Sequence, residues 1–333
     1  MRVLWPQHFW GEDREAELTG LGEGLDSVFV RRFAEVTDDQ WATADALVGP
    51  SPPLQYLDKL ARCRIYVKPA VGFDDVDVEA WGKKGIPVCN TPDYGTREVA
   101  DHAMALMLTL TKSIAFHDES LRADPKANWR PALNPYGQRL ADCVFGLVGL
   151  GRIGTAVALR AKAFDMDVVF FDPYKPSGLE LALGIRRADS LAELMGQCHI
   201  VSVHAPLNEE TRNLIGAQAL AAARKGVILI NTARGPIVDI DALHDAMEDG
   251  TVLAAGLDVL PEEPANIQKP LIAAWAGGEA WLKHRLVVTP HSAFYTPQSL
   301  RDIRLLSART AGRYLRGGRL ENCVNEAFLK ARR

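Results

Sequence analysis

No apolar run in the sequence approaches the ~20 residues a membrane-spanning helix needs, so a helical anchor is excluded. No CxxC spacing occurs. The five cysteines, Cys63, Cys89, Cys143, Cys198 and Cys323, are odd in number and scattered, so neither a disulfide framework nor a zinc site is expected. Basic runs are missing outside Lys330 to Arg333, and a net charge of −4 argues against a nucleic-acid surface. The opening Met1-Arg2-Val3-Leu4-Trp5-Pro6 turns charged too soon for a signal peptide, which makes the cytoplasm the expected location. There is no internal repeat and no low-complexity segment. What remains is an ordinary soluble composition, 47% hydrophobic and 24% charged, over 333 residues, long for one core and comfortable for two domains.

Among 27 glycines, Gly149, Gly151 and Gly154 stand apart, because they spell G-L-G-R-I-G directly after the apolar run Cys143 to Val148. That run reads as a buried strand, and Ile153 to Phe164 follows with apolar residues at helical spacing. A glycine-rich turn from strand into helix offers free backbone N–H groups and the positive end of the helix dipole, which suits a pyrophosphate. Val168 to Phe171 reads as a second strand, and Asp172 at its carboxyl end lies eighteen residues after Gly154. A carboxylate there can take both hydroxyls of a ribose. Strand, helix, second strand and terminal acid in register predict dinucleotide binding.

The residues before this motif alternate in an α/β manner, with strands expected at Arg2–Leu4, Ser27–Arg31, Ala46–Val48, Arg64–Val67 and Pro87–Cys89. From Glu98 to about Arg122 the pattern predicts one long helix, unbroken until Asp124-Pro125 and placed as a crossover between domains. Residues 125 to 142 are irregular and carry Trp129 and Tyr136. Beyond Asp172, strands are expected at Ile200–Val203, Val227–Ile230, Leu253–Leu257 and Leu286–Thr289, with helices at Asp239–Asp249 and Pro297–Arg316. Polar and charged residues repeatedly follow the strands, where open parallel sheets place their ligands.

Arg234, Glu263 and His291 each follow a strand end in a turn-forming context. They suit reduction of a 2-oxo acid by a hydride-carrying cofactor. Arginine offers a planar fork for a carboxylate and a ketone oxygen. Histidine can protonate the new alkoxide, and a neighbouring carboxylate favours its protonated form. Pairing of Glu263 with His291, 28 residues away, is an inference, and Glu262 is a competing carboxylate.

Gly149 to Gly154, Asp172, Asn231 to Gly235, Asp258-Val259 with Glu263-Pro264, and Thr289-Pro290-His291 occur in order and at suitable intervals. Together they resemble the D-isomer-specific 2-hydroxyacid dehydrogenase family over nearly the whole chain. Val67-Lys68 to Asp74 and Asn90 to Thr96 resemble its C-terminal-binding-protein branch, and His291 to Thr296 also resembles D-lactate dehydrogenases. The resemblance implies an α/β protein of two domains, with a doubly wound Rossmann nucleotide-binding domain (98–296) inserted into a smaller flavodoxin-like substrate domain (1–97 plus 297–333) and a cleft between them. It implies an NAD-dependent (R)-2-hydroxyacid dehydrogenase with catalytic Arg234, Glu263 and His291, acting on a small 2-oxo or 2-hydroxy acid, cytoplasmic and homodimeric. Cofactor contacts are implied for Gly149, Gly151, Arg152, Ile153, Gly154, Asp172, His204, Ala205, Pro206, Thr211, Thr232, Ala233 and Asp258, the last holding the nicotinamide carboxamide. Substrate contacts are implied for Lys68, Val71, Gly72, Arg234 and Tyr295. No metal is implied.

Three departures stand out. Asp75 replaces the family's usual Asn after the substrate glycine. Lys68 stands where the branch has an arginine. Residues 265–285 form a longer insert with Trp275 and Trp281 that bears on the pocket wall. Trp5, His8, Phe9 and Trp10 read as packing under a loop or as a roof on the substrate pocket. His204 reads as structural beside the cofactor. Asp172 favours NAD because a carboxylate repels a 2′-phosphate, with Lys175 leaving room for dual use. A rival reading is an NADH-responsive corepressor-like binding protein, which needs the glycines and Asp172 but not Arg234, Glu263 and His291. Regulatory members of that kind also carry long tails, and this chain stops soon after its last helix. A phosphite-type dehydrogenase on the same scaffold is a further alternative.

Overall fold

Short β-branched runs closed by Pro, Asn or Gly build two separate parallel sheets. A computed structural model describes residues 1–7, 13–130 and 137–329, so His8, Phe9, Trp10 and Tyr136 lie outside the described residues. The chain divides into Met1–Gly95 with Tyr295–Arg333, and Thr96–Phe294. Among the described residues no helix is long and apolar enough to cross a membrane.

The first unit has five strands, β1 (Arg2–Trp5), β2 (Asp26–Phe29), β3 (Ala46–Val48), β4 (Ile65–Val67) and β5 (Val88–Cys89), in the order β2-β1-β3-β4-β5. Each is short, and β1, β3, β4 and β5 are almost wholly buried, as a parallel sheet covered on both faces requires. One face packs on Ala308, Ala311, Tyr314 and Leu315 of the helix Pro297–Gly317; the other packs on Trp41, Leu57 and Trp81. Trp5 is buried and stacks on Phe29 at 5.3 Å, so this member of the aromatic cluster is packing. Short helices at Glu15–Leu21, Asp38–Thr43 and Val78–Lys83 fill the crossovers.

The second unit has seven parallel strands, β6 (Val144–Val148), β7 (Asp167–Phe171), β8 (Arg186–Arg187), β9 (Ile200–Val203), β10 (Val227–Asn231), β11 (Val252–Leu257) and β12 (Leu286–Val288). Their order, β12-β11-β10-β9-β6-β7-β8, reverses between β6 and β9, the kind of switch point at which doubly wound sheets bind ligands. The expected single helix over 98–122 is two, Thr96–Lys112 and Ile114–Ala123. Ser113 between them is left-handed at φ 55°, with its hydroxyl on the Leu110 carbonyl at 3.3 Å, so the chain turns there. The first helix puts Ala100, Ala103, Met104 and Met107 in the core of the second unit, against Phe145 and Leu147. Residues 265–285 likewise contribute core. Leu271, Ile272 and Leu282 are buried with the helix Ile240–Glu248, and Arg285 donates to the carbonyls of Met247, Val252 and Leu253.

Candidate active site

The glycine turn joins β6 to the helix Arg152–Ala163. Gly149 is left-handed at φ 93°, and a Cβ there would lie 2.8 Å from the Ala205 backbone nitrogen. A Cβ on Gly154 would lie 2.3 Å from the Gly149 carbonyl, so helix and turn approach closely only because both are glycine. Above Gly151 nothing lies within 4 Å of a would-be Cβ. The turn therefore forms an open cradle at the positive end of a twelve-residue helix, which fits a pyrophosphate.

Asp172 directly follows β7 and is held in place. Its Oδ2 accepts from the Leu150 amide at 2.9 Å and its Oδ1 from the Tyr174 amide at 3.0 Å, tying the acid to the glycine turn. The Tyr174 phenol donates to Glu210, and that bond, with the Glu210 and Asp172 charges, raises its pKa. Arg187 props the same turn, donating to the Lys175 and Pro176 carbonyls at 3.2 and 2.7 Å and pairing with Glu180 at 2.9 Å. No local motif signals these props, because β8 is only two residues long. His204 donates or accepts through Nε2 with the Ser202 hydroxyl at 2.8 Å, and burial lowers its pKa to about 3, so the ring is a neutral structural element. Thr211 closes the neighbouring turn on the Pro206 carbonyl at 2.6 Å.

A second group of residues gathers after β10, β11 and β12, which are neighbours in the sheet. Asn231 shapes the Arg234 loop, accepting from the Ala233 amide and donating to the Arg234 carbonyl, both at 3.0 Å. Gly235 packs so tightly on the next loop that a Cβ would fall 1.9 Å from the Leu260 carbonyl. The Leu260 amide donates in turn to Glu263 Oε1 at 3.1 Å, while Glu263 Oε2 meets His291 Nδ1 at 2.7 Å. Glu262 turns instead to Asn266, at 3.0 Å, so Glu263 is the carboxylate that faces His291. Both side chains remain about two-fifths exposed, 42% for His291 and 40% for Glu263, and so are open to a ligand.

Asp258 organises this end of the sheet. It is 1% exposed and accepts from the Thr289 hydroxyl at 2.5 Å and from the Ser292 and Ala293 amides at 2.9 Å. His291, left-handed at φ 51°, donates its amide to the Asp258 carbonyl at 2.8 Å. His102, from the helix Thr96–Lys112, meets Thr289 Oγ1 at 3.0 Å, a contact no local motif signals. Thr232 is buried and its hydroxyl has no protein partner, an orphaned polar atom beside the Arg234 loop. An open glycine cradle, a fixed acid beyond it and this orphaned hydroxyl fit a nicotinamide dinucleotide laid along the strand ends of the second unit.

This second unit is where a family model matches. Residues 104–293 match the NAD binding domain of D-isomer specific 2-hydroxyacid dehydrogenase. The chain belongs to the D-isomer specific 2-hydroxyacid dehydrogenase family. The matched segment is the part of that family described as its NAD binding domain. Among relatives in this family, a D-3-phosphoglycerate dehydrogenase of Methanocaldococcus jannaschii is 34% identical over 286 residues, 85% of this chain. The chain spans only about half of that relative's length, 52%. A glyoxylate reductase of Korarchaeum cryptofilum is 34% identical over 276 residues, covering 81% of this chain and 79% of its own. Among solved structures, an NADPH-dependent glyoxylate/hydroxypyruvate reductase of Sinorhizobium meliloti, in complex with NADP and malonate, superposes with a TM-score of 0.82. It is 28% identical and covers 100% of this chain and 99% of its own.

In the first unit, Lys68, Val71 and Gly72 lie in the loop after β4, and Tyr295 lies just before the helix Pro297–Gly317. The Asn90 amide side chain donates to the Val71 carbonyl at 2.7 Å, and the Thr91 hydroxyl to the Lys68 carbonyl at 2.8 Å. Lys68 is buried and its ammonium pairs with Asp75. Two departures from the family pattern thus meet each other. Val71 and Tyr295 are exposed, at 36% and 61%.

Proposed function

We propose that this protein is an NAD-dependent (R)-2-hydroxyacid dehydrogenase that interconverts a small 2-oxo acid and its hydroxy acid. The observation that carries the reading is the Glu263–His291 contact of 2.7 Å on a loop packed against the one bearing Arg234. When bound, the reduced nicotinamide supplies hydride to the carbonyl carbon. Arg234 holds the carboxylate and polarises the carbonyl oxygen. His291 has Nδ1 engaged by Glu263, so Nε2 is the atom that delivers a proton to the forming alkoxide, and in the reverse direction removes it. Gly149, Gly151, Arg152, Ile153 and Gly154 take the pyrophosphate; His204, Ala205, Pro206, Thr211, Thr232, Ala233 and Asp258 line the rest of the cofactor. Lys68, Val71, Gly72 and Tyr295 contribute substrate contacts.

Preference for NAD rests on Asp172. Its carboxylate is fixed at the end of β7, and Glu210 brings a second negative charge to Tyr174 two residues on, so a 2′-phosphate would meet two carboxylates. Asp172→Ala is expected to weaken NADH and narrow its advantage over NADPH; equal affinity for both in the parent protein would remove this assignment. The protein is further proposed to be a cytoplasmic homodimer, on the family resemblance, and light scattering of the purified protein tests the dimer.

The deciding experiment follows NADH oxidation with a panel of 2-oxo acids that includes glyoxylate and hydroxypyruvate, and NAD reduction with phosphite. Turnover on one or more 2-oxo acids, lost in His291→Ala while NADH still binds, is expected. NADH binding without turnover on any of them would favour the corepressor-like reading, and turnover on phosphite alone the phosphite-type reading.

A further inference from the structure

Cys89 closes β5 at the edge of the first sheet, and the chain returns beside it near its C-terminal end. Cys89 and Cys323 face one another in an antiparallel bridge. The Val324 amide donates to the Val88 carbonyl at 2.8 Å and the Asn90 amide to the Asn322 carbonyl at 3.2 Å. Bonds on either side, with none between the two cysteines themselves, define a non-hydrogen-bonded pair. Its Cα atoms lie about 4.5 Å apart, and its side chains project on one face. That separation is within the span of a disulfide. The Cys323 thiol donates to Asn325 Oδ1 at 3.3 Å.

We propose that Cys89 and Cys323 form a redox-active pair that closes reversibly into a disulfide and fastens residues 322–324 to the sheet edge. The proposal stands apart from the dehydrogenase reading, since it uses no residue of that site. It also revises the expectation from cysteine spacing, because the partners are 234 positions apart and only the fold brings them together.

Cys323 is the attacking thiol. It is partly exposed, and the adjoining Cys89 thiol lowers its pKa, whereas burial pushes Cys63 and Cys198 up to about 12 and raises Cys143. Cys89 is buried and its pKa is raised by the Cys323 thiol beside it and by burial, which suits a resolving thiol. The oxidant is a low-molecular-weight disulfide. The Cys323 thiolate attacks one of its sulfurs, that S–S bond breaks, and one thiolate leaves and takes up a proton. Cys89 then loses its proton and attacks the Cys323 sulfur, expelling the second thiolate. Two protein thiols are oxidised, and one external disulfide is reduced to two thiols.

The test uses the intact, fully reduced protein under native conditions with excess oxidised glutathione. The expected product has lost two hydrogens in mass, and its titratable thiols fall from five to three. Digestion yields a single peptide pair joined through Cys89 and Cys323, and dithiothreitol restores all five thiols. Cys89→Ser is expected to stop at a glutathione adduct on Cys323. Five thiols persisting in the folded wild-type protein would overturn the proposal. So would a lasting adduct on wild-type Cys323, or crosslinks between other cysteines.

Discussion

Replacing Arg234 by Lys keeps the positive charge but removes the planar fork, so two charge-assisted hydrogen bonds become at most one. A bond of that kind is worth about 1.5–3 kcal/mol, so kcat/KM for the 2-oxo acid should fall by about 10- to 100-fold while NADH affinity holds. Steady-state kinetics with a parallel fluorescence titration of NADH checks this, and parental kcat/KM would remove Arg234 from its role. Glu263→Gln tests the neighbouring pair. The amide keeps the size and a hydrogen bond to Nδ1 but gives up the negative charge that steadies an imidazolium, so kcat should drop by at least about 10-fold with little change in cofactor binding. Unchanged turnover would mean that the 2.7 Å contact does not serve the proton transfer. These three residues were legible in the sequence because each follows a strand end inside a short motif. The Lys68–Asp75 pair was not, since each residue taken singly read as a departure from the family and only the loop after β4 shows that they compensate. His102 was equally hidden, since its partner Thr289 is 187 positions away.

Glycines of the β6 turn separate packing from ligand space at the level of one element. Gly154→Ala would place a methyl group 2.3 Å from the Gly149 carbonyl, a backbone atom that cannot swing aside. Overpacking of this kind costs about 1–3 kcal/mol, so a lower melting temperature should accompany weaker NADH binding. Gly151→Ala puts its methyl into open space, so stability should change by no more than about 0.5 kcal/mol while NADH affinity falls. Thermal melts and NADH titrations of both variants check the contrast; a stable, tightly binding Gly151→Ala would mean that the cradle does not receive the cofactor. The strands and the motif helix of this unit could be read from apolar runs closed by turn residues. The break at Ser113 could not, because serine is compatible with a helix interior and only its left-handed φ of 55° reveals the turn. The two-residue β8 and the short helices at Leu179–Leu183 and Ala217–Ala221 span too few residues to show a period.

Acid should weaken the molecule as a whole through its partly buried imidazoles. His204 has a folded pKa of about 3, below the 6.5 of a free imidazole, and burial lowers that of His199 as well. Between these limits the unfolded chain binds more protons than the folded one, so stability is fully present above about pH 6.5 and declines as pH falls toward 3. Each such group contributes at most about 1.4 kcal/mol per pH unit. Urea unfolding across that range should show the decline, and His204→Gln should flatten it; an unchanged slope would mean that His204 is not held neutral by the fold. At this same scale, the sheet of the first unit owes one of its two covers to a distant part of the chain. Glu17, fully buried, is gripped by Arg304 at 2.7 Å through two nitrogens, and Ala308, Ala311 and Tyr314 lie on the strands just beyond. During synthesis on the ribosome, these residues emerge after the whole of Thr96–Phe294. The second unit is contiguous and can finish folding as it leaves the exit tunnel, whereas the first must wait with an apolar sheet face uncovered. A nascent chain that has emerged from the tunnel only as far as residue 295 would carry one completed unit and one that still needs a holdase.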